Sequence, residues 1–426
     1  MQPFAGIFPI GHPSVVTSPA FPSTAPDGPA SEHPPDLPPN RYAKARYEGA
    51  TSGITRPRLL VTGFRPGSGG INRDMLNLIN DLARAGVEVH LQLESEDHPD
   101  LALVAPSVQA HVVRIGHGRR VPDRMRAFLT RLRPHTVLSH RDRANRLVLD
   151  AVATMEPGPR VVIRVGTTIP AKLRQSNPLS RRRKRRELIA TLRRADLVIG
   201  VSDGVCDGLR QLLGPAAPAI RRIYTDLDLA RIRTLAEQEP DHPWCRDHSG
   251  PLLISVGRLV KAKDQDTMLR ALVLLPRDHR LLIYGEGKRR SRLESLAEKL
   301  GVAARCDLPG RSENPFSCVA RADLFLLSSR FEGFPNALLE ATALGTPAVT
   351  TDCPSGPREL LDGGRYGELV PIGDVQAMAA AIRRTLSNPP TQAHLAEALD
   401  RLAIHRATDL YLDALGFGAL TRADRA

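Results

Sequence analysis

Residues 252–285 read LLISVGRLVKAKDQDTMLRALVLLPRDHRLLIYG. Two short apolar runs, 252–257 and 280–285, bracket a stretch with helical patterning, and each run ends on glycine. Runs of this length bounded by turn residues read as buried strands. Strand, helix and strand in that order form a βαβ unit, whose long crossover makes the two strands parallel. The rhythm continues downstream, with strands expected at 304–310, 323–329 and 346–352 and helical patterns between them.

The same rhythm occurs upstream. Strands are expected at 57–64, 87–93, 135–140, 160–165, 195–201 and 220–224, with an amphipathic helix after the first and another near 143–154. Short apolar strands alternating with helices of this length predict parallel sheets covered on both faces. Two such series predict an α/β protein of two doubly wound, Rossmann-like domains, at 57–228 and 251–400, joined by a linker at 229–250. Ligands of such sheets lie beyond the carboxyl ends of the strands, so the cleft between the domains is the expected site. Residues 1–56 are rich in Pro, Ser and Ala without periodicity and read as a mostly disordered tail.

The totals agree with two domains. The chain has 426 residues, 42% of them apolar, and a net charge of +13 from 59 Lys and Arg against 46 Asp and Glu. That surplus suits an anionic partner: a nucleotide, nucleic acid or acidic lipid headgroups. An Arg-rich composition with no such partner accounts for it equally well. Cys206, Cys245, Cys306, Cys318 and Cys353 are scattered, with no C-x-x-C. This argues against a disulfide framework and against zinc, and fits a reducing cytoplasm. No Lys or Arg precedes Arg41, so the charged start of a signal peptide is missing. No uncharged apolar run approaches the ~20 residues needed to cross a bilayer. The reading is a cytoplasmic protein, soluble or peripheral on the inner membrane face.

Four stretches carry chemistry. Pro66-Gly67-Ser68-Gly69-Gly70 lies between a strand and a helix, where glycines let backbone N–H groups approach an anion. A tight turn without a ligand is the open alternative. Ser255 to Asp264 places Arg258 at a strand end and Lys263 at a helix start. Two cations there can clamp a diphosphate, or they can belong to a solvated charged loop. Ser329 to Ala341, SRFEGFPNALLEA, sets Glu332 in a loop ahead of a helix expected from Asn336 to Leu344 and Glu340 about one turn into it. The pair can hold opposite ends of one ligand, since a carboxylate accepts hydrogen bonds from a vicinal diol. Alternatively, Glu332 is a helix-dipole partner and Glu340 an ion-pair member. Residues 351–360, TDCPSGPREL, repeat the strand, turn and helix pattern that favours anions.

Together SVGRLVKAKD (255–264), the GEGKRRSRLESLAEKLGV segment ending at Val302, LPGRSENPF, SSRFEGFPNALLEATALGTPAVTTDCPSGPRELL and GGRYGELVP resemble the second domain of retaining glycosyltransferases of family 4, with the GT-B fold. Fainter matches run through GSGGINRDMLNLINDLARAG, RPHTVLSHRDRAN and RADLVIGVSDGV in the first half. The resemblance implies a nucleotide-sugar donor in the second domain and a glycan or lipid-linked glycan acceptor mainly in the first. It implies transfer with retention, expected from a UDP-linked donor, with neither metal nor cofactor. By resemblance Arg258 and Lys263 hold the diphosphate, Glu332 meets the sugar near the reacting carbon, and Glu340 meets the ribose. Gly333, Phe334, Pro335 and Asn336, with the amides of Ala337 and Leu338, would touch sugar and phosphate. Gly310 and Arg311 would lie by the base, and Gly69 and Gly70 would approach the phosphates across the cleft. The segment 401–420 resembles a helix that returns to the first domain.

Two departures stand out. Many relatives carry His after the strand matching 161–165, where this chain has Gly166-Thr167-Thr168. Relatives often read IYNPVD where this chain reads Ile223-Tyr224-Thr225-Asp226-Leu227-Asp228. His140 is either a replacement for the missing imidazole or a surface or capping residue. The run Arg181 to Arg186 is either an anchor on anionic lipid or a solvated helix face. A nucleotide-sugar epimerase or hydrolase would use the same donor site. A nucleic-acid-binding role finds no stacking motif or recognition module, and a nicotinamide dehydrogenase lacks G-x-G-x-x-G.

Overall fold

The computed structural model describes residues 15–17 and, between 56 and 418, all but 65–69, 97, 99–100, 114–120, 170–172, 174–176, 226, 248 and 403–405. Among them, the first half forms strands β1 (Val15–Thr17), β2 (Arg58–Thr62), β3 (Glu88–Leu93), β4 (Gln109–Val112), β5 (Thr136–Ser139), β6 (Arg160–Val165), β7 (Leu197–Gly200) and β8 (Ala219–Arg222). They pair in the order β1-β4-β3-β2-β5-β6-β7-β8. Helices α1 (Gly70–Arg84), α2 (Val121–Leu132), α3 (Asp142–Val152), α4 (Pro178–Leu192) and α5 (Asp203–Leu213) supply crossovers. Each described strand pairing is parallel.

The second sheet is built from β9 (Leu252–Val256), β10 (Arg280–Tyr284), β11 (Cys306–Gly310), β12 (Leu324–Leu327), β13 (Ala348–Thr351) and β14 (Glu368–Val370), in the order β11-β10-β9-β12-β13-β14. It too is parallel throughout. The opening stretch of sequence is β9, helix α7 (Gln265–Val273, after the connecting α6, Leu229–Ala236) and β10, with Leu253 level with Leu281. Helices α8 (Arg290–Lys299), α9 (Phe316–Val319), α10 (Asn336–Ala343), α11 (Pro357–Leu360), α12 (Val375–Ser387) and α13 (Gln392–Leu402) follow. Last comes α14 (Ala407–Leu415), which returns to the first sheet: Tyr411, Leu412 and Leu415 are buried with Leu59 and Val61, and Thr136 Oγ1 donates to Leu415 O at 2.9 Å.

Strand order reverses between β2 and β5 in the first sheet and between β9 and β12 in the second. At such a switch point neighbouring crossovers leave in opposite directions and open a crevice past the carboxyl ends. A single apolar cluster joins the two domains, with Tyr224 of the first stacked at 5.0 Å on Phe334 of the second.

Three expectations change. β4 and β14 went unread because each is short, and β14 follows a glycine-rich turn. Within the tail read as disordered, Val15–Thr17 pairs in parallel with β4; the rest of 1–55 lies outside the described residues. Cys245 and Cys318, 73 residues apart, are disulfide-bonded with Cα atoms at 5.3 Å, against the expectation of no disulfide. The cause is the linker, which folds onto the second domain. Asn314 donates to Leu235 O at 2.8 Å, Ser312 to Asp241 at 2.6 Å, and Arg280 to Asp247 at 2.7 Å. These bonds bring Cys245 against α9, which carries Cys318. Cys206, Cys306 and Cys353 are free and buried.

Candidate functional site

The residues singled out in the second domain gather at the carboxyl ends of its two central strands. Gly257 and Arg258 follow β9, and Ser328 to Glu332 follow β12. The glycine that closes β10 lets these loops approach. A Cβ on Gly285 would stand 1.9 Å from Gly257 O, and its φ of +147° suits glycine. Gly285 N donates to Gly310 O at 2.7 Å, so the ends of β9, β10 and β11 are tied in a row. Gly310, at φ +100°, ends that row, and the Arg311 side chain is exposed beside it.

Lys263 and Glu332 form an ion pair with each other, the two side chains 22% and 12% exposed. Ser329 Oγ donates to the same carboxylate oxygen, Oε1, at 2.5 Å. Sequence reading had assigned the two to different parts of one ligand; the fold makes them direct neighbours. Among the described residues Glu332 Oε2 has no hydrogen-bond partner. Arg258 is exposed, with its carbonyl accepting from Gln265 at 3.0 Å. Cys353 lies alongside, and burial pushes its thiol up to about 12, so it stays neutral and is no nucleophile.

Helix α10 begins one residue after Pro335, and no side chain caps it. The Leu338 amide donates to Pro335 O at 2.9 Å and its side chain is fully buried. Its amide, with that of Leu339 on the same carbonyl, closes the first turn of the helix. Ala337 and Asn336 carry the amides that the turn leaves open. Gly345, at φ +76°, ends the helix as expected. Gly333 packs against the first domain: a Cβ there would meet Gly166 O at 2.2 Å.

Glu340 points between the domains. Burial raises its carboxyl to about 7, a shift that Arg73 of α1 opposes and Asp74 reinforces. Neither α1 residue was singled out in the sequence. Asp74 in turn pairs with Arg164, only 2% exposed, whose Nε donates to Tyr411 Oη at 2.8 Å. Attraction to Asp74 and Tyr411 outweighs the cost of burial and holds Arg164 charged. A lone Arg inside the apolar run RVVIRV was the available signal. On this side Gly70 opens α1, and Gly69 lies outside the described residues.

His140 is neither a surface nor a capping residue: it is 9% exposed at the end of β5, and Arg141 holds the N-cap of α3. Its ring stacks edge-on to Phe64 at 5.1 Å. Burial, with Arg141 and Arg164 nearby, lowers it to about 3, so the imidazole is neutral.

The stretch read as an anion-friendly turn works in the opposite sense. Gly356 permits the turn into α11, and Glu359 on that short helix is itself the anion. Its carboxylate accepts from the amides of Asp203 and Gly204, at 2.8 and 3.0 Å, capping α5 of the first domain. Ser202 Oγ and Ser355 Oγ meet at 2.5 Å beside it. This clasp lines a cleft of about 360 Å³ with Asp352 and Arg358. Among the described residues no cluster of three His, Cys, Asp or Glu could hold a metal, and no helix is long and apolar enough to cross a membrane.

Residues 241–401 match the family described as glycosyl transferases group 1, and residues 68–231 match glycosyltransferase family 4. Among curated proteins, the lipopolysaccharide core biosynthesis glycosyltransferase LpsE of Rhizobium meliloti is 26% identical over 364 residues, covering 83% of this chain and 98% of that protein. A Campylobacter jejuni enzyme, named as a 4-alpha-N-acetylgalactosaminyltransferase acting on N-acetylgalactosamine-N,N'-diacetylbacillosaminyl-diphospho-undecaprenol, is 30% identical over 226 residues. That match spans 51% of this chain and 60% of the relative. Among solved structures, the outer core galactosyltransferase WaaB superimposes with a TM-score of 0.65 at 19% identity, over 85% of this chain and 99% of WaaB. Anabaena HepE in complex with UDP-glucose gives 0.71 at 17% identity, over 84% and 99%. These structural likenesses establish the fold.

Proposed function

The chain belongs to the glycosyltransferases of family 4, with the GT-B fold, and from that premise we propose that it transfers a hexosyl group with retention from a UDP-linked donor to a hydroxyl of a glycan or lipid-linked glycan. The observation that carries this reading is the Lys263–Glu332 pair, which gathers the ends of β9 and β12 beside Gly333, itself packed on Gly166 of the first domain. A donor diphosphate would take Lys263 and the free Arg258. Glu332, already held by Ser329, would turn to the sugar hydroxyls. Glu340, at the far end of the same loop and helix, would accept from the ribose diol.

In the step itself, the bond between the sugar's anomeric carbon and the diphosphate oxygen breaks. The acceptor oxygen bonds to that carbon on the same face, and the acceptor's proton passes to the departing phosphate. Charge growing on the leaving group is what Arg258, Lys263 and the open amides at the start of α10 would stabilise. Gly166 supplies no imidazole. Among the described residues a Cβ there would meet only Arg164 Nη1, at 3.5 Å, so the first domain contributes backbone at that point. Replacing Glu332 by Ala should abolish transfer while near- and far-ultraviolet circular dichroism stay unchanged; a variant that transfers at the wild-type rate removes Glu332 from the mechanism. Product analysis with and without acceptor separates transfer from hydrolysis or epimerisation at the same site.

The relatives named for diphospho-undecaprenol and lipopolysaccharide core suggest an acceptor at a membrane surface. Helix α4 supports it. Its first turns carry Leu179, 89% exposed, beside the exposed run Arg182 to Arg186. We place anionic headgroups there. Flotation with liposomes of equal size should recover the protein with anionic lipid only; equal recovery with neutral lipid rules this docking out.

A further inference from the structure

Helix α1 buries Met75, Leu78, Ile79 and Leu82 and turns a second stripe outward: Arg73, Asn77, Asn80 and Arg84, spaced i, i+4, i+7 and i+11. That spacing places all four on one face. The stripe floors a groove of about 240 Å³, walled on one side by Leu103 and on the other by Asp228 and Arg231 of the connecting segment and α6. The groove is built, not incidental. Asn80 donates to Leu103 O and accepts from Ala105 N, both at 2.9 Å, which fixes one wall. Asp228 caps α6 by accepting from Arg231 N at 3.0 Å, which fixes the other.

Its lining carries three guanidiniums, of Arg73, Arg84 and Arg231, against the one carboxylate of Asp228. Arg84 pairs with Asp81, and Asp228 is engaged by the α6 backbone. Among the described residues the side chains of Arg73, Asn77 and Arg231 have no hydrogen-bond or ion-pair partner. Arg73 lies in the first turn of α1, which follows β2, so this end of the groove is on the carboxyl-end side of the first sheet, where the cleft is. From Arg73 to Arg84 the helix rises about 16 Å at ~1.5 Å per residue, longer than a single sugar.

We propose that this groove is an acceptor subsite that selects saccharides carrying an anionic group, phosphate or carboxylate, and holds that group between Arg231 and Asn77 while the acceptor hydroxyl reaches the cleft past Arg73. The proposal rests on the glycosyl-transfer reading. The chemistry is that of guanidinium and amide donors around an anion, with the exposed Leu103 offering apolar contact to a sugar face.

The test is calorimetric binding of three oligosaccharides to the full chain: tetragalacturonate for carboxylate, mannopentaose phosphate for phosphate, and neutral maltotetraose. At least one charged probe should bind about tenfold or more tightly than maltotetraose, the loss expected when charged hydrogen bonds go unmade. Which one binds identifies the anion. Arg231→Glu should erase the preference, and Asn77→Asp, a milder change placed mid-groove, should weaken it in the same direction. Raising salt should weaken charged-probe binding. Equal binding of charged and neutral probes, or an undiminished preference in both variants, overturns the subsite. A parallel thermal-shift titration with UDP-glucose on the same samples reads the donor reading separately, since neither Asn77 nor Arg231 is among the residues placed around the donor.

Discussion

Replacing Gly333 by Ala should cripple turnover with little loss of nucleotide affinity. An ideal Cβ at 333 lies 2.2 Å from Gly166 O, 2.6 Å from Gly166 C and 3.0 Å from Thr167 Cα. A carbon–oxygen contact settles near ~3.3 Å, so the two backbones must separate by about 1 Å. Neither segment can yield alone. The 166–167 segment is fastened by β6, whose Val165 is level with Gly200 of β7. The 333 loop is fastened by Ser355 Oγ donating to Gly333 O at 2.9 Å. The strain therefore opens the cleft and carries Glu332 away from the first domain. A misplacement of about 1 Å at a reacting centre costs on the order of 100-fold in rate. Gly333 is not at positive φ, so the alanine adds bulk without backbone strain of its own. The assay is turnover of a UDP-linked sugar at saturating donor, paired with nucleotide titration. The reasoning fails if turnover stays within a few-fold of wild type, or if nucleotide affinity falls by the same factor as turnover.

Asp74→Asn should lower unfolding free energy by about 3–5 kcal/mol, because it strands the buried Arg164 guanidinium; urea denaturation followed by circular dichroism measures it, and a loss below 1 kcal/mol would contradict the assignment. Glu340 gives a pH signature. Its folded value of about 7 lies above the ordinary 4.5, so the folded state holds this proton more tightly than the unfolded chain. Its burial therefore costs stability progressively as pH rises from about 4.5 to about 7, and not below. A ribose diol favours the ionised carboxylate, so nucleotide affinity should rise several-fold between pH 6 and 8, about the change from one-tenth to nine-tenths ionised. Glu340→Gln should flatten that profile; an unchanged slope in the variant would assign it to another group.

The fold was legible because parallel strands buried on both faces write themselves as unbroken apolar runs, and LLISVG and RLLIYG did so. The runs around Gln109–Val112 and Glu368–Val370 were too short and too polar to stand out. In the site, residues following a strand end were legible: Arg258, Lys263, Glu332 and Gly333 all come from loops with turn chemistry in the sequence. What could not be read was which of these residues meet. The Lys263–Glu332 pair joins two loops 69 residues apart, and only the neighbouring of β9 and β12 brings them together. The same holds for Glu359 on the amides of α5, 155 and 156 residues away, and for Tyr411 on Arg164. Long-range polar pairs leave a local trace only when a charge interrupts an apolar run, as Arg164 does. The packing of the linker could not be read for a related reason. Its charge and proline content describe a surface segment, but its Asp, Asn and Arg partners lie on the second domain, outside any local window.

The central claim is that the second domain binds a nucleotide-linked sugar through the cations after β9. Thermal unfolding of the wild-type chain and of the Arg258→Ala/Lys263→Ala double variant, each titrated with UDP-glucose and other nucleotide sugars, tests it directly. A ligand that binds only the folded state adds about 2.7 kcal/mol at one hundred times its Kd. The account predicts a concentration-dependent rise in Tm for at least one nucleotide sugar with the wild type and none with the double variant. The same rise in both proteins, or no rise with any nucleotide sugar in either, would contradict it.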